Sequence, residues 1–327
     1  MITCRIRPES WALVEPFVIA RGSSTEIPVL VAELGDGEGH LGRGEAAGVD
    51  YEGETLATMA AQIEGVAHAL DDALDGERLR RLLPPGGARN ALDCALWDLR
   101  AKQSGVPVWQ AAGLAELKAV TTVFTIGLGD AATTRRKART SAAYPILKLK
   151  VDADRHIDVV RMVREERPHA RLIVDANQAW SRELLERLLG PLLELGVELI
   201  EQPLPRGADA ALEGLRTPVP LAADESCTDR ASLPALAGRY AYVNIKLDKC
   251  GGLTEALAMV PEARRLGLGL MVGNMCGTSL AMAPAFLIAQ ASRYVDLDGP
   301  LLQREDRQPS IRFDAAVMYP PERALWG

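Results

Sequence analysis

The sequence predicts an α/β protein whose larger part is a (β/α)7β barrel of the TIM type, preceded by an N-terminal α+β capping domain. Three observations carry this prediction. Residues 1–50 alternate apolar and polar residues between Gly and Asp turns, helical patterns follow, and from Val120 onward short strand patterns alternate with longer helical ones. Eight such βα repeats in about 180 residues favour a compact closed barrel over a doubly wound open sheet.

The capping domain is predicted over residues 1–112. Strands are expected at 11–20, 26–33 and 39–46, and helices at 55–83 and 88–102, where apolar residues recur at helical spacing. A Pro-Pro-Gly-Gly run at 84–87 separates the two helices, because these residues interrupt helical patterns.

The barrel is predicted over residues 113–298. Its strands are expected at 120–126, 146–151, 171–175, 197–201, 221–224, 242–247, 269–273 and 293–297. Helices are expected between them, for example at 157–166, 182–195 and 254–266, with Pro261 kinking or shortening the last. An open sheet would call for a glycine-rich phosphate turn after the first strand, which the residues after Ile126 match poorly. Residues 299–327 are too few for a domain and are expected to return to the capping domain.

Composition limits the classes of function. The 327 residues include 48% hydrophobic residues, enough for a sizeable core, and the net charge of −7 is spread without a basic block, so we expect neither nucleic acid nor a membrane as partner. The first residues lack the pattern of a signal peptide and no apolar run is long enough to span a bilayer, so a cytoplasmic protein is expected. Five scattered cysteines fit reduced thiols.

Two lysines share the second predicted barrel strand. The order Ile-Leu-Lys-Leu-Lys at 146–150 places Lys148 and Lys150 on one strand face. Two ammonium groups in one small space disfavour full protonation of both, which is expected to lower the pKa of at least one lysine towards the range of a general base. Taken alone, the same residues also fit a solvated strand face.

Polar residues stand at the C-terminal ends of five successive strands, one βα unit apart: Lys150, Asp175, Glu201, Asp224 and Lys246. A TIM barrel carries its active site at this rim. Three carboxylates there repel one another unless a cation lies among them, and carboxylate oxygens suit Mg²⁺ or Mn²⁺. Asp175, Glu201 and Asp224 are therefore the predicted metal ligands.

Lys150 and Lys246 reach the predicted metal site from opposite sides. A metal-chelated substrate carboxylate acidifies the adjacent carbon by stabilising an enediolate, so one lysine can remove the α-proton while the other returns one on the opposite face. That geometry fits racemisation or epimerisation. Lys148 is predicted to help hold the substrate carboxylate, and Asn177, on the face of Asp175, to orient a water or a neighbouring group.

Several motifs together resemble one known family. They are Lys-Leu-Lys at 148–150, Val-Asp-Ala-Asn at 174–177, Glu-Gln-Pro at 201–203, Ala-Asp-Glu-Ser at 223–226 and Asn-Ile-Lys-Leu-Asp-Lys-Cys-Gly-Gly at 244–252. As a set they resemble the enolase superfamily, muconate-lactonizing subgroup, over nearly the whole chain. The resemblance implies the capping domain, the barrel and a bound Mg²⁺, and it adds Lys249 as a supporting residue.

The end of the eighth strand distinguishes reactions within this subgroup. Asp296 and Asp298 share one face, and their like charges at the barrel mouth call for a cationic partner. In the dipeptide epimerases an Asp-x-Asp at this place binds the N-terminal ammonium of the substrate, so the resemblance implies a free dipeptide. A strand-end turn with solvated aspartates is the alternative.

The capping domain is expected to supply further contacts. Residues 17–23, Phe-Val-Ile-Ala-Arg-Gly-Ser, resemble the capping loop of bacterial epimerases of L-Ala-D/L-Glu, in which an arginine pairs with the glutamate side chain. The resemblance thus implies that Arg21 binds an acidic side chain and that Tyr51, in a second loop, helps to close the site. Residues 274–278 should line the pocket, without individual roles.

The function expected from these patterns is a Mg²⁺-dependent dipeptide epimerase that interconverts L-Ala-D-Glu and L-Ala-L-Glu by two-base 1,1-proton transfer in murein peptide recycling. An epimerase of another dipeptide and an N-acylamino acid racemase are alternatives of the same class. A non-catalytic barrel that binds metal and peptide is the alternative of a different class. The expected partner is a small-molecule dipeptide, and a homo-oligomer remains open.

Overall fold

The computed structural model describes residues 2–20 and 22–327. Its strands form a three-stranded antiparallel sheet near the N-terminus, an eight-stranded parallel sheet, and a small antiparallel sheet that includes C-terminal strands. The predicted α/β class, with a parallel barrel and a separate N-terminal sheet, is confirmed.

The N-terminal sheet has the order β1 (Thr3–Ile19), β2 (Gly22–Gly35) and β3 (Leu41–Ala46). β1 begins well before the predicted start at residue 11, because residues 3–12 pair continuously with β2. Helix α3 (Gly87–Ser104) covers one face of this sheet. Gly42 and Gly44 allow the close approach, since a Cβ atom at either position would overlap the α3 backbone.

The helix predicted at 55–83 is wrong as a single element. The structure has α1 (Leu56–Val66) and α2 (Gly76–Leu82), with a 3-10 turn and loop residues between them. Each helix has its own N-cap, since the Thr55 side chain accepts a hydrogen bond from Thr58 N and that of Asp75 accepts one from Arg78 N. The helix predicted at 88–102 is confirmed as α3.

The remaining elements follow in chain order. The strands are β4 (Val120–Thr121), β5 (Phe124–Ile126), β6 (Ile146–Lys150), β7 (Arg171–Asp175), β8 (Val197–Glu201), β9 (Leu221–Ala223), β10 (Tyr242–Ile245), β11 (Gly269–Val272), β12 (Tyr294–Val295), β13 (Phe313–Asp314) and β14 (Val317–Met318). The helices are α4 (Val108–Ala111), α5 (Ala131–Thr140), α6 (Ile157–Glu166), α7 (Arg182–Glu194), α8 (Leu233–Leu236), α9 (Leu247–Cys250), α10 (Leu253–Arg265), α11 (Ser279–Ala289) and α12 (Gly299–Leu302). Pro261 lies inside α10 without ending it.

Strands β5 to β12 pair in chain order, each parallel to the next. The sheet curls so that its first and last strands meet, where Val123 N donates to Val295 O at 2.8 Å and Leu297 N donates to Thr122 Oγ1 at 2.9 Å. An apolar layer that includes Ile173 fills the lower barrel interior.

The segment predicted as the first barrel strand is split in two. β5 joins the barrel, whereas β4 pairs with β14 and, through it, with β13. The partner of β4 lies almost two hundred residues away in the chain, so the local pattern of apolar residues carries no sign of the division.

The C-terminal residues contact helix α3 of the N-terminal region. Trp326 Nε1 donates to Cys94 O at 3.0 Å, and Gly327 N donates to Asp98 Oδ1 at 2.8 Å. Arg43 on β3 adds a hydrogen bond from Nη2 to Leu325 O at 2.7 Å. The proposed boundaries at residues 112 and 298 stay predictions. Among the described residues, no helix combines the length and apolar character needed to span a bilayer.

We expect Trp326→Ala to lower the free energy of unfolding by about 3–5 kcal/mol, because it removes a large buried ring and its hydrogen bond to Cys94 O. Urea denaturation followed by circular dichroism would measure this change. Leu193→Ala is the control, since this side chain is exposed and its loss should cost less than about 0.5 kcal/mol. A similar loss in both variants would contradict a stabilising role for the C-terminal contact.

Candidate active site

The barrel register brings the predicted rim residues together. Lys150, Asp175 and Glu201 are the last residues of β6, β7 and β8, and strand pairing places each beside the next. Asp224 and Lys246 directly follow β9 and β10. All five are buried at the C-terminal mouth of the barrel. The two lysines therefore flank three carboxylates that come from the strands between them.

Asp175, Glu201 and Asp224 form one buried cluster whose nearest carboxylate oxygens all lie within 4.8 Å of one another. Burial, together with the neighbouring charge of Asp175, raises the pKa of Glu201 to about 7. Its Oε2 atom is buried without a hydrogen bond among the described residues. A set of oxygen donors with this mutual repulsion fits Mg²⁺ or Mn²⁺.

The flanking lysines bind the two outer carboxylates. Lys150 Nζ donates to Asp175 Oδ2 at 2.7 Å, and Lys246 Nζ donates to Asp224 Oδ2 at 2.8 Å. Burial alone would raise the pKa of both aspartates, but nearby lysines outweigh it and hold each pKa below its usual range. Lys148 and Lys150 have the largest such effects on Asp175, and Lys246 and Lys249 have them on Asp224. The Nζ atoms of Lys150 and Lys246 thus lie at opposite ends of the carboxylate row.

The lowering of pKa by like charge that was predicted for at least one of Lys148 and Lys150 does not occur at Lys148, and the pKa of Lys246 is raised as well. Burial disfavours both charged forms, but nearby carboxylates outweigh it and raise the pKa of each above its usual range. Asp175 has the largest such effect on Lys148, and Asp224 has it on Lys246. The sequence pattern revealed the paired lysines but not how closely each would face an acid.

Lys148 joins the carboxylate cluster to the end of the eighth barrel strand, β12. Its Nζ atom lies 2.7 Å from Glu201 Oε2, 3.0 Å from Asp175 Oδ2 and 2.7 Å from Asp296 Oδ2. The contact with Glu201 is an ion pair without hydrogen-bond geometry. These three contacts are to protein carboxylates, so the predicted contact of Lys148 with a substrate carboxylate stays a prediction.

Asp296 and Asp298 are both buried, and both line the same cavity as the catalytic candidates. Asp298 Oδ2 accepts a hydrogen bond from Thr125 N at 2.7 Å, and Asp296 Oδ1 makes none among the described residues. Burial and the charge of Asp296 raise the pKa of Asp298 to about 7. Because both acids are buried and Asp296 Oδ1 has no hydrogen bond among the described residues, the pair favours a cationic partner.

A cavity of about 250 Å³ lies over this cluster, between the barrel mouth and the capping domain. Phe17, Ile19 and Glu26 form part of its upper wall, while Lys150 and Lys246 lie in its lower wall. Arg21 lies outside the described residues, so its predicted contact with substrate stays a prediction.

Of the predicted supporting residues, Asn177 lines the main cavity, whereas Lys249 and Tyr51 do not. Asn177 N donates to Asp175 Oδ1 at 2.9 Å. Lys249 Nζ donates to Asp224 Oδ1 at 2.6 Å and so orients a predicted metal ligand from behind. Tyr51 lines a neighbouring cavity of about 330 Å³ together with Lys249, rather than the main one.

Two side chains that bind predicted metal-ligand residues were given no role from the sequence. Asn244 Nδ2 donates to Glu201 Oε1 at 2.7 Å, and Gln202 Oε1 accepts from Asp224 N at 2.9 Å. Asn244 could have been found, because it precedes Lys246 by two residues and so shares its strand face. Gln202 offered no such signal, since its φ of 33° departs from strand geometry.

Two family models match the chain. "Mandelate racemase / muconate lactonizing enzyme, N-terminal domain" covers residues 1–113, and "Enolase C-terminal domain-like" covers residues 128–324. L-Ala-D/L-Glu epimerase of Escherichia coli is 44% identical over 98% of this chain and 100% of its own. N-acetyl-D-glutamate racemase of a Pseudoalteromonas species is 42% identical over 84% of this chain and 87% of its own. Both relatives are isomerases.

Solved structures agree with these matches. An enolase family member from Agrobacterium tumefaciens with homology to dipeptide epimerases, with sodium and L-Ala-L-Glu bound, is 42% identical, has a TM-score of 0.97 and matches 100% of both chains. The dipeptide epimerase of Methylococcus capsulatus, complexed with Mg and L-Arg-D-Lys, is 32% identical with a TM-score of 0.90 over 99% of both chains. The chain therefore belongs to the mandelate racemase and muconate lactonizing enzyme family of the enolase superfamily.

Proposed function

We propose that the protein is a Mg²⁺-dependent dipeptide epimerase that interconverts L-Ala-D-Glu and L-Ala-L-Glu. One observation carries the proposal: Lys150 and Lys246 lie at opposite ends of a buried row of three carboxylates, in the lining of a single cavity. The buried acids Asp296 and Asp298 line that cavity as well. The epimerase names of the relatives support the same reaction class.

Asp175, Glu201 and Asp224 would hold the metal. When bound there, Mg²⁺ supplies electrostatic stabilisation for the negative charge that develops on the substrate carboxylate as the α-proton leaves. The Mg ion in the Methylococcus capsulatus epimerase supports this choice of metal.

The two lysines move the proton. A neutral amine at one lysine takes the α-proton and becomes an ammonium group, while the ammonium at the other lysine gives a proton to the opposite face of the carbon and becomes neutral. The same pair with exchanged protonation states runs the reverse reaction. Asp175 and Asp224 orient the two amines through their hydrogen bonds to Lys150 and Lys246.

Substrate recognition is assigned to both ends of the cavity. Asp296 and Asp298 would bind the N-terminal ammonium, because charge-assisted hydrogen bonds are strongest in a buried site. Arg21 would pair with the glutamate side chain, which suits its planar fork of donors. A dipeptide of this composition is typical of murein fragments, so we assign the enzyme to murein peptide recycling.

A second candidate function is racemisation of an N-acylated amino acid. The 42% identity to the N-acetyl-D-glutamate racemase favours it. Such a substrate lacks the free ammonium group. It would leave Asp298 and the Oδ1 atom of Asp296 buried without a cation, since Lys148 contacts only Oδ2 of Asp296. The acidic pair therefore makes the dipeptide the first choice.

Lys150→Ala and Lys246→Ala should each slow epimerisation by about 10²–10⁴-fold or more, because each removes one of the two acid/base groups. Each variant should still exchange the α-proton of one diastereomer in D₂O, which proton NMR measures on L-Ala-L-Glu and L-Ala-D-Glu. Calorimetric titration should show that both variants still bind Mg²⁺. Lys118→Ala, at an exposed lysine, is the control.

The outcomes of this experiment separate the alternatives. If the parent protein introduces no deuterium into either diastereomer, epimerisation of L-Ala-D-Glu and L-Ala-L-Glu is ruled out. An epimerase of another dipeptide, or a barrel that only binds metal and peptide, would then be favoured. A variant that epimerises at the parental rate would contradict the two-base assignment alone.

Asp298→Asn should lower kcat/KM for L-Ala-L-Glu by about 10–100-fold, the loss expected when a buried charged hydrogen bond to the ammonium is removed. Mg²⁺ affinity should not change, because Asp298 lies outside the carboxylate cluster. The parent should process the free dipeptide far better than N-acetyl-glutamate in the same assay. Equal turnover of the two substrates would contradict the ammonium site and promote the racemase alternative.

Arg21→Met should reduce the preference for L-Ala-L-Glu over L-Ala-L-Leu by about tenfold or more, since it removes the cation proposed to pair with the acidic side chain. A comparison of kcat/KM for the two dipeptides measures this ratio. Arg7→Met, at a largely exposed arginine on β1, is the matched control. An unchanged ratio in Arg21→Met would remove Arg21 from substrate recognition.

A further inference from the structure

We propose that Glu45, on strand β3 of the capping domain, is a positioning residue for Lys246 that acts through residues 274–278, called here the 274–278 loop. The proposal rests on the proposed function, because it assigns Glu45 to one of the two proton-transfer groups. Glu45 is almost completely buried and does not line the main cavity. A direct contact with substrate therefore does not account for a charged side chain at this position.

Glu45 holds the end of the loop with both oxygens of its carboxylate. Oε1 accepts a hydrogen bond from Thr278 N at 2.7 Å, and Oε2 accepts one from Thr278 Oγ1 at 2.5 Å. Thr278 is also the N-cap of α11, where its hydroxyl accepts from Leu280 N at 3.2 Å. A Cβ atom at Gly277 would lie 2.9 Å from Glu45 Oε1, so the loop backbone packs directly on this carboxylate.

Arg307, from the C-terminal tail, completes this contact. Its Nε atom donates to Glu45 Oε2 at 2.9 Å and to Thr278 Oγ1 at 2.7 Å, and its Nη2 atom donates to Glu45 Oε2 at 2.5 Å. Nη2 also donates to Glu9 Oε2 at 2.7 Å. The buried charge of Glu45 is thereby paired, and the direction of its carboxylate is set by two other parts of the chain, the 274–278 loop and the C-terminal tail.

The loop is held at its other end as well and contains a strained residue between the two ends. Asn274 Nδ2 donates to Asp296 O at 2.6 Å, while Asn274 Oδ1 accepts from Cys276 N at 2.6 Å. Cys276 has a φ of 63°, a conformation that a residue other than glycine keeps only where its surroundings impose it. Release of Thr278 would therefore let this segment relax.

The loop carries Met275 onto Lys246. Met275 Sδ lies 3.9 Å from Lys246 Nζ, and Met275 lines the main cavity beside it. Both lysines are bound by an aspartate, Lys150 by Asp175 and Lys246 by Asp224. Of the two, only Lys246 has a hydrogen-bonding contact with the 274–278 loop among the described residues. A movement of the loop should therefore disturb Lys246 more than Lys150, and this asymmetry is what the proposal predicts.

The chain offers a matched control for a contact between the capping region and the barrel. Asp93 on α3 binds Thr254 in the same way, since its Oδ2 accepts from Thr254 N at 2.8 Å and its Oδ1 accepts from Thr254 Oγ1 at 2.6 Å. Neither Asp93 nor Thr254 lines the main cavity. Loss of this contact should affect stability without a bias towards either lysine.

The test compares Glu45→Gln with Asp93→Asn in the full-length protein. Exchange of the α-proton in D₂O is measured separately for L-Ala-L-Glu and L-Ala-D-Glu, and the diastereomer whose exchange is lost in Lys246→Ala is the one that depends on Lys246. In Glu45→Gln we expect exchange of that diastereomer to fall about tenfold more than exchange of the other, as small misplacements of a reacting group slow its step strongly. Asp93→Asn should leave the ratio at the parental value.

Variants at Thr278 test the same contact independently if Glu45→Gln does not fold. Thr278→Val removes the hydroxyl that binds Glu45 and Arg307 and that caps α11, and it should shift the ratio in the same direction. Thr278→Ser keeps the hydroxyl and should keep the parental ratio. Crystal structures of the parent and Glu45→Gln give a readout that does not need turnover. We expect Met275 to move away from Lys246 in the variant.

The results distinguish this proposal from the proposed function. An unchanged exchange ratio in Glu45→Gln, or an equal shift in Asp93→Asn, overturns the positioning role of Glu45 while the epimerase function stands. A parent without any exchange overturns the function, and the crystal structures then decide the positioning role. An unmoved Met275 in Glu45→Gln would overturn that role.

Discussion

The structure depends on holding three carboxylates close together at the mouth of a buried barrel. Two unit charges 4 Å apart repel by about 4 kcal/mol even at an effective dielectric constant of 20. Asp175, Glu201 and Asp224 therefore need cations, and Lys150 and Lys246 supply them at the two ends of the row. The contacts that make the cluster tolerable also aim both amines into the cavity where proton transfer would take place.

The closure of the barrel links this cluster to the proposed ammonium site. The first and last strands meet at Val123 and Val295, and at the same seam Thr125 N binds the carboxylate of Asp298. Lys148 then bridges from the cluster to Asp296 across the barrel interior. The proposed metal ligands, acid/base lysines and ammonium-binding aspartates are thus parts of one charged network whose geometry follows from strand register.

The capping domain is tied to the barrel by buried carboxylates rather than by apolar packing alone. Glu45 binds Thr278 and Asp93 binds Thr254, each through a backbone amide and a hydroxyl group. Because such contacts have strict distances and directions, they set the orientation of the barrel segments that they hold. The N-terminal sheet therefore provides the upper wall of the cavity through β1 and β2 and also binds the loop beside Lys246 through Glu45 on β3.

By itself, the sequence determined the βα repeat, the strand faces of Lys148 and Lys150, and the ring of polar strand ends, because strand period and unit spacing are local properties. Asn244 obeyed the same periodicity and could have been added. Only the tertiary structure decided that residues 120–126 divide between two sheets and that Glu45 binds a barrel loop. It also decided that Lys148 contacts three carboxylates, whereas Lys150 contacts one among the described residues. These outcomes depend on partners far away in the chain, whose approach is set by barrel closure and by the docking of the capping domain.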